Sequence, residues 1–177
     1  DHTGTIQLPC HALVKYFIYN GTFTVTGFAD RHIYYPPYFI ETGHTMPSAV
    51  DSKIKNELIA TFALGAKALG LTQGVAKADI KYTKNGPMIG EIAARLSGGY
   101  MSGWTFPLSS GCFLTKEALK ISVGMEPDYI LENRKKIEWK PHPSVKNSVQ
   151  PFELYELESK NVSAERAWLS IPGKIAE

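Results

Sequence analysis

The chain has 177 residues, 44% of them hydrophobic and 20% charged. That composition can bury enough apolar area to offset the entropy of ordering, which excludes a disordered chain, and no run approaches the ~20 uncharged apolar residues of a bilayer span. With 19 Lys and Arg against 17 Asp and Glu the net charge is +2, too small and too dispersed a surplus for non-specific nucleic-acid binding. Cys10 and Cys112 match no metal-ligand spacing and read as free thiols of a reducing cytoplasmic compartment, a disulfide being the less common alternative. The opening Asp1-His2-Thr3, without an initiator Met or a leader, is expected of a piece of a longer protein.

Residues 11–19, HALVKYFIY, form an apolar and aromatic run, and residues 22–28 alternate after Asn20-Gly21. Asn-Gly between two such runs predicts a hairpin. A third strand is predicted through residues 38–41, after the break at Pro36-Pro37. Residues 48–69 read as a long helix: Val50, Ile54, Leu58, Phe62, Gly65 and Leu69 share a face, Ser48 is positioned to cap it, and Gly70 stops it. A second helix is predicted over residues 114–123, ended by Gly124. Beyond residue 125 the pattern weakens, with extended pieces at 138–143 and 149–157.

The chemistry concentrates in a second hairpin at residues 74–94, closed by Lys84-Asn85-Gly86. A three-residue loop pairs Asp79 with Glu91 and places Lys77, Asp79, Lys81 and Glu91 on one face, with Arg95 just beyond. Ala78, Ile80, Tyr82, Met88, Ile92 and Ala94 then take the core face. Two facing carboxylates with β-carbons about 5 Å apart repel unless something positive lies between them: a lysine, a proton or a hard divalent cation. A solvated face neutralised by Lys77, Lys81 and Arg95 accounts for the same pattern. The loop after Arg95 contains Ser97-Gly98-Gly99, whose backbone N–H groups suit an anion, and Ser109-Ser110-Gly111 offers a second anion position before the next helix.

Residues 74–111, with Glu91-Ile92-Ala93-Ala94-Arg95-Leu96-Ser97-Gly98-Gly99, resemble the second half of an ATP-grasp domain. The likeness is to carboxylate–amine and carboxylate–thiol ligases of the phosphoribosylglycinamide synthetase, biotin carboxylase and carbamoyl-phosphate synthetase groups. Their pattern has an acid on one strand and, about a dozen residues later, a Glu-x-Asn-x-Arg strand leading into a loop; here Asp79 and Glu91 are 12 apart and Arg95 follows 4 later. Glu41-Thr42-Gly43-His44-Thr45-Met46-Pro47-Ser48 before a long helix is similar too, and the resemblance spans residues 11–124. It implies an α+β fold, an antiparallel sheet with helices packed on one face, over residues 1–125. Residues 126–177 would be an extended, strand-rich appendage beginning a following domain.

By the same resemblance the cofactors are ATP and Mg²⁺ or Mn²⁺. Asp79 and Glu91 hold the metal, Glu91 bridging two ions. Arg95 meets a phosphate or the acyl-phosphate intermediate; Lys77 and Lys81 face the nucleotide, Arg31 reaches the triphosphate, and Ser97, Gly98 and Gly99 cradle phosphate. The partners are small-molecule carboxylate and amine substrates and the N-terminal lobes of the same protein. A homodimer is compatible; nucleic acid and membrane are not expected. Such catalysis is mostly positioning and charge neutralisation, and an isolated second lobe would bind nucleotide weakly and turn over nothing. Two departures stand out. Ala93 replaces the family's Asn, removing an oxygen ligand, and Leu8-Pro9-Cys10-His11 stands where a G-x-E-x-S-like strand is expected. A degenerate module with a structural or dimerising role is the alternative function.

Among the remaining residues, His44 reads as a histidine bonded to local backbone, and Tyr34, Tyr35 and Tyr38 as packing aromatics. Glu132-Asn133-Arg134-Lys135-Lys136 reads as a solvated segment. Trp168 and the residues after it are apolar enough to pack on a neighbouring domain.

Overall fold

The structure, a computed structural model, describes residues 11–140, 142–143 and 152–168. The expectations for residues 8–10, for Cys10, for the first part of 149–157 and for the stretch after Trp168 lie outside them.

β1 (His11–Tyr19) and β2 (Thr22–Tyr34) form the first hairpin, closing with Tyr19 opposite Thr22. Asn20 and Gly21 both take positive φ, 49° and 72°, the turn geometry whose twist matches the flanking strands. β3 (Ile40–Met46) returns antiparallel to β2. α1 (Ser52–Ala68) follows, capped by Asp51 rather than Ser48: the Asp51 carboxylate accepts a hydrogen bond from Lys53 N at 2.8 Å. Ser48 instead donates to Asp30 Oδ1 and accepts from Val50 N, tying the approach to the helix to β2. Leu58 and Phe62 are buried as the periodicity requires, whereas Leu69, past the last turn, is exposed. Gly70, at φ 75°, ends the helix.

β4 (Gly74–Thr83) and β5 (Gly86–Ala93) form the second hairpin. A π-helical turn at Met101–Thr105 runs into α2 (Phe106–Ser110). Then come α3 (Leu114–Ser122), α4 (Asp128–Asn133), β6 (Arg134–Lys136), β7 (Leu154–Leu157) and β8 (Ser163–Arg166). Among the described residues the strands make one sheet of 8, ordered β5-β4-β1-β2-β3-β8 along its main path. β7 lies off that path, parallel to β2 beside Phe23, Thr24 and Val25 and antiparallel to β6. The α+β class expected from the sequence is the class found.

Side chains alternate across the sheet, so it builds two cores. Ala12, Val14, Tyr16 and Ile18 of β1 pack with Leu58, Ile59, Phe62 and Ala66 of α1. Phe17 points to the other face and meets Met101, Phe106, Leu114 and Ile130. Helices therefore cover both faces, where the sequence suggested one. Phe106 packs directly over Gly27: a Cβ there would lie 1.8 Å from the ring.

One expectation fails here for a physical reason. Tyr34, Tyr35 and Tyr38 are exposed at the β2–β3 turn, Tyr38 at 80%, because that turn extends beyond the packed layers. The segment Glu132–Lys136 is mostly exposed, as expected, and its Arg134–Lys136 part pairs with β7 as a strand while Lys135 and Lys136 reach Glu158 and Glu153 at 2.6 and 2.9 Å. Within the piece predicted as extended, residues 138–140 join no ladder.

Candidate functional site

The second hairpin differs from its predicted register in an instructive way. Thr83 pairs with Gly86, so the loop has two residues, Lys84 and Asn85, and Lys81 faces Met88 rather than Ile89. Continued unchanged, that ladder would pair Asp79 with Gly90 and turn Glu91 to the opposite face. A bulge intervenes. Ile80 pairs with Ile89 and Asp79 with Glu91, so Gly90 is the extra residue. The facing pair expected from the sequence is thus present, made by a bulge rather than by a longer loop. The core side changes accordingly: Ile89, not Met88, joins Ile92 against α1, where both approach Gly65 closely.

Between the acids lies Lys77. Its Nζ is 3.3 Å from Asp79 Oδ1 and 2.8 Å from Glu91 Oε1. Arg31, on β2, reaches Asp79 Oδ2 with Nη1 at 3.1 Å and donates to Glu41 Oε2 through Nε at 2.7 Å and also through Nη2. Arg95 stands 3.9 Å from Glu91 Oε1 and donates to Leu96 O. These charges edge an open cavity of about 290 Å³ lined by Arg31, Lys77, Asp79 and Arg95 and by Ser97, Gly98 and Gly99 of the glycine loop. Lys81, one step nearer the hairpin tip, does not line it, and Glu91 stands at its margin, joined to it through Lys77.

Three lining residues on the far wall were not foreseen as a group: Glu41, His44 and Glu165. His44 is not bonded to local backbone. Its ring is buried, with Nδ1 2.7 Å from Glu165 Oε1 and Nε2 3.5 Å from Glu41 Oε1 without a hydrogen bond. Thr105 Oγ1 donates to Glu165 Oε2 at 2.9 Å, fixing that carboxylate. β8 brings Glu165 close because Gly43 has no side chain: a Cβ there would lie 2.2 Å from Glu165 O. Only the Glu-x-x-His spacing of Glu41 and His44 was visible in sequence. Glu165 carried no local signal.

A buried amine lies behind the glycine loop. Lys15 Nζ donates to Ser102 Oγ at 2.8 Å and sits 3.7 Å from the Phe106 ring centre, while Ser102 Oγ donates to Ser97 O at 2.8 Å. Burial lowers the Lys15 pKa to about 6, with the Glu165 charge opposing. The second anion position expected at Ser109-Ser110-Gly111 does not exist. Both serines are buried and spend their hydroxyls on Asn161 O and Phe106 O, because α2 folds that segment into the core.

Oxygen donors facing each other across a ladder are of the kind a hard divalent cation takes, and Mg²⁺ needs only one or two carboxylates beside phosphate and water. Asp79 and Glu91 fit that requirement in type. Ala93 adds no oxygen, and among the described residues no group of three potential metal ligands comes together.

No family model matches the chain. Carnosine synthase 1 of Gallus gallus is 30% identical over 91 residues, 51% of this chain and 10% of its own length. The solved L-amino acid ligase from Bacillus licheniformis has a TM-score of 0.58 at 20% identity, covering 63% of this chain and 28% of that one. Phosphoribosylglycinamide synthetase from Anaerococcus prevotii has 0.59 at 18%, covering 69% and 31%. The biotin carboxylase domain of Hydrogenobacter thermophilus 2-oxoglutarate carboxylase, solved with MgADP, ADP and bicarbonate, has 0.54 at 14%, covering 68% and 26%. The chain thus spans a tenth of the curated relative and under a third of these structures, and likeness at such identities is likeness of fold.

Proposed function

The chain has the fold of an ATP-grasp lobe, and from that premise we propose that it is the second lobe of an ATP-dependent carboxylate–amine ligase. The observation that carries the reading is the cavity in which Arg31, Lys77, Asp79, Arg95 and the Ser97-Gly98-Gly99 loop meet. Cations and a glycine-rich loop on its walls suit a polyphosphate. Asp79 and Glu91 are the residues to hold Mg²⁺ or Mn²⁺, which would neutralise phosphoryl oxygens there.

In this reading the substrate carboxylate attacks the γ-phosphorus. The bond to the β,γ-bridging oxygen breaks, ADP leaves, and an acyl phosphate remains. An amine then forms the amide and releases inorganic phosphate. Arg95 steadies the transferring phosphoryl group, Arg31 the neighbouring phosphates, and the loop amides the acyl phosphate. No nucleophilic side chain is required. The nucleotide's remaining contacts belong to a lobe elsewhere in the protein. Because one of the similar structures is an L-amino acid ligase, an amino acid is the first carboxylate to try.

The test is ADP release by the full-length protein, screened with amino acids and amines. Release that depends on both substrates, and falls about hundredfold or more in Arg95→Ala and Asp79→Asn with the fold retained, supports the reading. Release indifferent to both substitutions disposes of it.

A further inference from the structure

The pair of acids that the reading above gives to a divalent cation already holds a cation of the chain's own. Lys77 projects from β4 two residues before Asp79, and its backbone pairs with Ala93 of β5. Its Nζ lies within 3.3 Å of Asp79 and 2.8 Å of Glu91, and its side chain is only 8% exposed. Water therefore screens it little on the side of Asp79, 24% exposed, and more on the side of Glu91, 50% exposed. Arg31 occupies the other Asp79 oxygen at 3.1 Å. The cation position between the acids is thus filled and charge-compensated with no metal ligand to spare, since Ala93 contributes no oxygen.

We propose that the Lys77 ammonium is the resident counter-ion of Asp79 and Glu91, and that a divalent cation binds there only by displacing it. Two like charges cannot share a space a few ångströms across at acceptable cost. The ammonium needs somewhere to go, and the cavity supplies it: Lys77 also lines the space in front of Ser97, Gly98 and Gly99. A polyphosphate there would receive the displaced ammonium. Metal and phosphate then bind as a couple, each weak alone, because the same lysine must leave one to meet the other.

The inference rests on the assignment of Asp79 and Glu91 to a metal, and the experiment separates the two. Mn²⁺ binding to the full-length protein is measured by electron paramagnetic resonance, without nucleotide, for wild type, Lys77→Met, Lys77→Gln, Lys77→Arg and the double variant Lys77→Met with Asp79→Asn. The expected result is weak binding in wild type and Lys77→Arg. Lys77→Met and Lys77→Gln should bind at least about tenfold tighter, and Asp79→Asn should abolish the gain. Equal affinity in wild type and Lys77→Met, lost with Asp79→Asn, overturns the counter-ion role and leaves the metal assignment standing. No Asp79-dependent binding in any variant overturns both. Should the Lys77 variants fail to fold, wild type decides: Mg²⁺ with pyrophosphate must shift the Lys77 side-chain ¹³Cε resonance, and an unmoved resonance at saturation overturns the proposal.

Discussion

His44 and Glu165 are 121 residues apart in the chain and 2.7 Å apart in space. Their contact joins β3 to β8 at the cavity wall and sets the orientation of the imidazole, whose other nitrogen faces Glu41. Glu165 holds Thr105 through its second oxygen, so one carboxylate ties three elements together.

Replacing Glu165 by Ala leaves His44 Nδ1 and the Thr105 hydroxyl without their partner in a poorly hydrated place. The expected cost is about 1–3 kcal/mol of unfolding free energy, read from urea denaturation. Glu165→Gln, which keeps an acceptor for either group, should lose less than half as much. Equal losses in the two variants would mean that the negative charge of the carboxylate, rather than its shape or a single acceptor oxygen, matters.

The bulge at Gly90 predicts that this residue can be removed without separating the acids. Deletion leaves Ile80 opposite Ile89 and Asp79 opposite Glu91 in an unbroken ladder, so the affinity of the full-length protein for a fluorescent ADP analogue should stay within about threefold of wild type. Gly90→Ala keeps the residue count, and its Cβ would meet nothing closer than Asp79 O at 3.4 Å, an ordinary contact; its affinity should hold likewise. A deletion variant that binds about tenfold or more weakly would show that the local twist of the bulge, rather than the pairing of the acids, shapes the site.

Lys15 predicts a pH signature. Burial places its folded pKa at about 6 against 10.5 for a free lysine. Between those values the unfolded chain binds the extra proton, so this residue makes stability rise with pH, at most about 1.4 kcal/mol per pH unit. The burden is full below pH 6 and gone above 10.5. Lys15→Met removes it, so the variant's gain in Tm over wild type should be largest near pH 6 and shrink steadily toward pH 10. A gain that is flat with pH would mean that the amine is solvated in the folded protein.

Much of this architecture was legible because it is local. Asn20-Gly21 specified the first hairpin through backbone conformation, and the periodicity from Val50 to Phe62 specified α1. The charge separation along residues 77–91 identified the functional face even though the loop length was misjudged, since burying Asp79 or Glu91 costs far more than a bulge. What escaped notice is non-local. Glu165 sits on a four-residue strand whose place depends on the clearance over Gly43. The serines at 109 and 110 offered the same hydroxyls to an anion or to a carbonyl, and only the packing of Phe106 over Gly27 chose the carbonyl. That Lys77, of the cations the sequence put on this face, is the one that lies between the acids follows from a rotamer, which sequence does not choose.

The seat of β7 beside β2 has a consequence for biosynthesis. Phe23 gains its neighbour Leu154 only after some 130 further residues have been translated. Until then a nascent chain carries an unzipped seam along a hydrophobic strand, the kind of surface on which misassembly begins. Stop codons anywhere before position 154 should therefore yield insoluble product, however intact the remaining chain.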